Sequence, residues 1–162
     1  MNSNWEESLK DRLQLYGHRN WIVIADSAYP AQSRQRIETI AADGEQTTAL
    51  DKALAILRAC KHVNATIYTD EELRFVPEED APGISLYREK LGRLLEGFDV
   101  CALPHAEIIS RLDRTSDKFR VLVVKTNMRI PYTSVFFELE CGYWNTQAEK
   151  RIRAAMRFRS RH

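Results

Sequence analysis

The chain has no apolar run approaching the ~20 residues that a membrane-spanning helix needs. Its first residues, MNSNWEESLK, offer neither the basic stretch nor the apolar stretch of a secretion signal. These two absences set the expectation of a cytoplasmic protein. Charge of one sign is also missing: 24 Lys and Arg balance 23 Asp and Glu, for a net charge of +1. Bulk electrostatics therefore give no reason to expect nucleic acid as a partner. Cysteine is scarce. Cys60, Cys101 and Cys141 are far apart in apolar contexts, and no CxxC or Cys/His cluster suggests a metal. They read as free, buried thiols. There is no P-loop and no GxGxxG for a nucleotide, and no GxSxG for a serine nucleophile. No internal repeat and no low-complexity linker breaks the chain, and 162 residues suit one domain.

What is present is an alternation of apolar strands and amphipathic helices. Ser3-x-x-Glu6 reads as a capping box for a first helix carrying Trp5, Leu9, Leu13 and Tyr16, which Gly17 can end in a left-handed conformation. Trp21–Ala25 is a short buried strand, and Arg36–Ala41 alternates as a weaker one. Thr48-x-x-Asp51 opens a second helix with Leu50, Ala53, Leu54, Leu57 and Cys60 in one stripe. Ala65–Thr69 reads as a strand, and the acidic, proline-bearing segment Glu71–Gly83 as a surface loop. A third helix follows from about Ser85 to Glu96, then a strand at Phe98–Ala102 and a short helix at His105–Leu112. Phe119–Val124 and Thr133–Leu139 are the last strands. This order predicts a single-domain α/β fold, a largely parallel sheet flanked by helices. It occupies residues 1–145, with 146–162 as a basic helical extension opened by Thr146-x-x-Glu149.

Ligands of α/β sheets gather beyond the carboxyl ends of strands. Asp26 stands at such an end, and it could equally cap its own loop through backbone N–H groups at Ala28 or Tyr29. His18 precedes the core strand, where a helix end fixes the backbone beside it. His105 begins a helix after Pro104 and reads locally as a surface residue. His62 follows a helix end, where a cation meets the dipole favourably, and His162 is terminal. Tyr132 opens the last strand, as a core ring with a wet hydroxyl or as a site residue. His18 and Asp26 flank one strand, so on the order of 25 Å of extended chain separates them. They share a site only if the turn folds back or if the site lies between subunits.

Leu15-Tyr16-Gly17-His18, then Ile22-Val23-Ile24-Ala25-Asp26 and Tyr29-Pro30, resembles the N-terminal signature of the D-ribose pyranase/L-fucose mutarotase (RbsD/FucU) family. Val121–Lys125, a polar turn, and Pro131-Tyr132-Thr133-Ser134-Val135-Phe136-Phe137 resemble its C-terminal strand, turn and final strand. The likeness runs from about Trp5 to Gly142. It implies an α/β fold that assembles into rings, most often a homo-oligomer of decamer size, with sites between neighbouring subunits. It implies interconversion of sugar ring forms by acid–base catalysis on a free monosaccharide, fucose-like or ribose-like, with no cofactor and no metal. On this resemblance His18 and Tyr132 are catalytic, and Asp26, His105 and Ser134 bind substrate. Ser134 stands where the family usually has Asn, Thr126-Asn127 where it has Gly-Glu, a few residues are inserted within Ser110–Lys118, and the tail is an addition. Two rival readings remain. One is a non-catalytic sugar-binding member of the same fold. The other is a partner- or nucleic-acid-binding module using the basic strip Lys150, Arg151, Arg153, Arg157, Arg159 and Arg161, whose plainer reading is a solvated helix face.

Overall fold

A computed structural model describes residues 4–159. Twelve elements follow in order. Helix α1 (Trp5–Leu15) leads into β1 (Trp21–Ala25) and β2 (Ile37–Ala41), then α2 (Gln46–Ala59) and β3 (Val63–Asp70). A 3-10 helix (Glu71–Phe75) precedes α3 (Ile84–Leu94), β4 (Asp99–Leu103) and α4 (His105–Ser116). The chain closes with β5 (Val121–Lys125), β6 (Val135–Cys141) and α5 (Thr146–Arg159). One six-stranded sheet has the order β2-β5-β1-β6-β3-β4. Strand β6 runs antiparallel to β1 and β3, and the remaining pairs are parallel, so the largely parallel α/β sheet expected from the sequence is found.

The sheet owes its position to strands that are apolar on both faces. All five residues of β1 are buried, as are four of the five in β5, the pattern of central strands covered on both sides. Ile22, Ile24, Leu122, Val124 and Phe137 face α1, α2 and α3. Trp21, Val23, Val121, Val123 and Phe136 face α4 through Ile108 and Leu112. Three layers result. Helix α5 stands apart, with none of its residues buried. Among the described residues no helix is long and apolar enough to cross a membrane.

Several local expectations are corrected. Ser3 lies outside the described residues, and Asn4 caps α1 by accepting the Glu7 N–H. Gly17 is not left-handed. Asn20 Oδ1 takes its N–H at 2.8 Å, and the positive φ falls on Arg19, at 79°. Helix α2 begins ahead of Thr48, because Gln46 is drawn into its first turn by bonds to the carbonyls of Ile24 and Thr133. The acidic segment is not merely a loop. Glu72 and Glu78 cap helices α4 and α3. Asn145, rather than Thr146, caps α5 by accepting the Ala148 N–H, while Glu149 binds Trp144 and Arg153. The cysteines are free among the described residues but not buried: Cys101 is exposed on the edge strand β4, and Cys60 and Cys141 are half-buried. His62 does cap a helix, but its Nε2 meets the last carbonyls of α1, Leu13 O at 2.8 Å and Tyr16 O at 3.1 Å, not those of the helix it follows. His162 and Arg161 lie outside the described residues.

Candidate functional site

Because five strands run one way, their carboxyl ends form one rim, and β6, running the other way, begins there. That rim gathers Asp26 after β1, Thr126 after β5, Asp70 at the end of β3, His105 just after β4, and Tyr132–Ser134 just before β6. Residues far apart in sequence meet because the sheet order interleaves their strands.

Asp26 is tied to Ser134 twice. The Ser134 hydroxyl donates to Asp26 Oδ1 at 2.6 Å and accepts the Asp26 backbone N–H at 3.1 Å. The expected Asx cap is absent, since Tyr29 N–H goes to the Asp26 carbonyl oxygen rather than to its side chain. Ser134 is itself buried. Its hydroxyl is thus spent on orienting the carboxylate, whose Oδ2 keeps acceptor capacity.

His105 opens α4, and its backbone N–H donates to both oxygens of Glu72 at 3.1 Å. Its Nδ1 lies 2.9 Å from Asp70 Oδ1. This fixes the ring and leaves Nε2 for a ligand. Asp70 is buried, and its Oδ2 has no hydrogen-bond partner among the described residues. Burial pushes the Asp70 carboxyl up from its ordinary value; His105 pulls it down, and the charges of Glu72 and Asp26 add to the rise. The Tyr132 ring meets His105 edge-on, with centroids 5.8 Å apart. Tyr132 is not a core aromatic. It is 39 % exposed and sits at φ 62°, three residues ahead of β6.

A buried polar clamp holds this rim. Gln46 Nε2 donates to the carbonyls of Ile24 and Thr133, each at 3.0 Å, and Gln46 Oε1 accepts the Thr126 hydroxyl at 2.7 Å. The Tyr87 hydroxyl, its ionisation suppressed by burial, donates to the Thr133 carbonyl at 2.6 Å. The segment carrying Tyr132 and Ser134 is therefore pinned from beneath, a condition for a site that keeps one geometry.

Four of the five candidate residues, Asp26, His105, Tyr132 and Ser134, share this rim. His18 does not. It is exposed in the turn ahead of β1, at the opposite end of the sheet, beside a groove under α5. Asp70, Glu72 and Gln46 went unrecognised in the sequence. The strand expected at Ala65–Thr69 extends through Asp70, which pairs with Leu103, and that pairing places Asp70 at a carboxyl end.

No protein-family model matches the chain, and no curated protein matches it in sequence. Solved structures do. RbsD of Bacillus subtilis, complexed with D-ribose, is 20% identical, with a TM-score of 0.54 over 90% of this chain and 95% of that one. The fucose mutarotase of Streptococcus pneumoniae, in complex with L-fucose, is 22% identical, with a TM-score of 0.55 over 90% of this chain and 98% of that one. FucU of Bifidobacterium longum is 16% identical, with a TM-score of 0.54 over 83% of this chain and 92% of that one. The chain has their fold.

Proposed function

We propose that the chain interconverts the anomers or ring forms of a free monosaccharide, as a member of the ribose pyranase/fucose mutarotase family. The observation that carries this reading is the rim itself. A carboxylate, an imidazole with one nitrogen engaged and a phenol converge at the carboxyl end of the sheet, in a fold shared with proteins solved with D-ribose and L-fucose.

Ring opening needs a base for the proton of the anomeric hydroxyl and an acid for the ring oxygen as its bond to the anomeric carbon breaks. The open carbonyl form then recloses on its other face, or through another hydroxyl, and both protons return. Histidine serves in either protonation state near neutral pH. His18 is the principal acid–base group in this reading, and Tyr132 relays a proton or orients the sugar. Asp26 and His105 bind sugar hydroxyls. Ser134 acts through Asp26, and Asp70 through His105. The opposite placement of His18 is met if copies assemble in a ring, expected to be a decamer, so that His18 of one copy enters the rim of the next. The chemistry needs no cofactor.

Saturation-transfer NMR of anomer exchange across a panel of aldoses and deoxyaldoses tests the activity. Exchange well above the buffer rate for at least one sugar is the expected result. Binding without any exchange would instead select the sugar-binding reading.

A further inference from the structure

The groove beside His18 has a volume of about 1060 Å³, and α5 forms one wall of it. No residue of that helix is buried, and only Ala148 and Glu149 are half-buried. Polar contacts define its start. Asn145 Oδ1 accepts the Ala148 N–H at 2.8 Å. Glu149 then takes the indole N–H of Trp144 at 2.8 Å through one oxygen and Arg153 Nε at 2.9 Å through the other. One carboxylate thus holds an aromatic ring and a guanidinium side by side on the groove wall.

The lining is cationic on balance: Arg19, Lys150, Arg153 and Arg157 against Glu140 and Glu149. Glu149 is ion-paired with Arg153 and Glu140 accepts the Thr66 hydroxyl at 3.0 Å, so four cations against two carboxylates leave an excess of two positive charges. The bond to Glu149 uses Arg153 Nε and leaves the paired Nη edge, the geometry that suits phosphate and carboxylate oxygens. The Trp144 ring, half-exposed, offers an apolar face of the kind that meets the C–H face of a sugar. His18 lies in the same groove. A neutral sugar has no use for two cations here.

We propose that this groove takes the charged end of an anionic monosaccharide, a phosphate ester or a carboxylate, with Lys150 and Arg153 on the oxyanion and Trp144 against the sugar. The proposal rests on the reading that His18 belongs to the sugar site, and it makes that site's substrate a charged sugar.

The test uses the full-length chain and sets of probes that share one pyranose ring: D-galactose, D-galactose 6-phosphate and D-galacturonate, and the corresponding glucose set. Calorimetry reads affinity, and saturation-transfer NMR on the same samples reads exchange. At least one anionic probe should bind about tenfold or more tighter than its neutral parent, the size of one charge-assisted hydrogen bond. The Lys150→Gln/Arg153→Gln double variant should erase that margin, and added salt should shrink it. The phosphate and carboxylate arms identify the anion. Anionic probes that bind no tighter than their parents overturn the proposal, as does a margin that survives the double variant. Inorganic phosphate binding as tightly as the sugar phosphate also overturns it, because the sugar would then contribute nothing. Charged-sugar binding without exchange sustains this site and sinks the catalytic reading. Exchange of neutral sugars with no anionic margin does the reverse.

Discussion

His105 Nδ1 rests 2.9 Å from Asp70 Oδ1, and the aspartate side chain is only 1 % exposed. A carboxylate placed there gives up hydration for a single partner, and its other oxygen finds none among the described residues. Such burial costs stability unless the charge is fully paired. What the contact provides is orientation: with Nδ1 held by Asp70, it is Nε2 of His105 that stays open.

Asp70→Asn separates those two effects. Burial raises the Asp70 carboxyl above its unfolded value, so the folded chain holds more protons than the unfolded chain between the two. The stability linked to that protonation is present below the unfolded pKa and is lost as pH rises through the folded one. At neutral pH the wild type carries this loss and the asparagine variant does not. Its thermal midpoint should be no lower than wild type at pH 7, and the difference should close as pH falls into the carboxylate range. Anomer exchange should fall on the order of tenfold, because the imidazole loses its orienting anion. A midpoint that drops together with activity would make Asp70 a structural residue.

Tyr132 sits at φ 62°, a region that costs a residue with a Cβ about 1–2 kcal/mol. Strain held by an exposed aromatic at a rim of titratable groups is the usual mark of a functional position. Tyr132→Gly relieves the strain and gives up an edge contact with His105 of about 0.5–1.5 kcal/mol. Urea denaturation should therefore find it within ~1 kcal/mol of wild type, where truncating a core aromatic costs about 3–5 kcal/mol. Tyr132→Phe keeps the ring and should still lose most of the exchange rate. A phenylalanine variant as active as wild type would remove the hydroxyl from the mechanism.

Gly142 follows β6 where the chain turns toward α5, and its N–H donates to the His62 carbonyl at 2.9 Å. A Cβ there would stand 2.8 Å from Val63 N and 2.9 Å from Lys61 O, both backbone atoms with little room to yield. Gly142→Ala should destabilise the fold by about 1–3 kcal/mol, the range for forced overpacking. Chemical denaturation measures this directly, and an unchanged midpoint would show that the β3–β6 corner gives way easily.

The parts of this molecule that were legible in its sequence are those decided locally. Trp21–Ala25 is an apolar run with few alternatives, the strand expected over Phe119–Val124 is found as Val121–Lys125 because its apolar core Val121–Val124 is what pairs in the sheet, and the stripe from Leu50 to Leu57 has one periodicity. Legibility failed wherever a distant group captured a polar side chain. Gln46 reads as a residue ahead of a helix until Ile24 and Thr133 are placed beside it. Gly17 reads as a left-handed stop until Asn20 takes its N–H. Asp70 and His105 are 35 residues apart, and only the β3–β4 pairing makes them neighbours. Ser134 could be seen to differ from the usual Asn, but not that its hydroxyl is spent on Asp26.

The decisive test of a shared site follows from the two ends of β1. His18 lies in the turn ahead of that strand and Asp26 follows it, so the five-residue length of β1, about 15 Å, separates them across the sheet. One copy cannot bring His18 to its own Asp26, His105 and Tyr132. If copies form a ring in which each site takes His18 from one neighbour and the rim from the other, a His18→Ala copy still offers an intact rim. A His105→Ala copy still offers an intact His18. His18→Ala alone should be nearly inactive, since a positioned acid–base group contributes on the order of 10²–10⁴-fold, and His105→Ala alone should be strongly impaired, since it removes a side chain that holds the sugar in the rim. Unfolded together in equal amounts and refolded, the two should recover about a quarter of wild-type exchange, the fraction of sites that random closed-ring assembly makes whole. Light scattering must first show that both variants and the mixture reach the same oligomeric size. A mixture of the right size that is as inactive as its parts would mean that His18 completes no neighbour's site, and His18 would then have no route to the sugar.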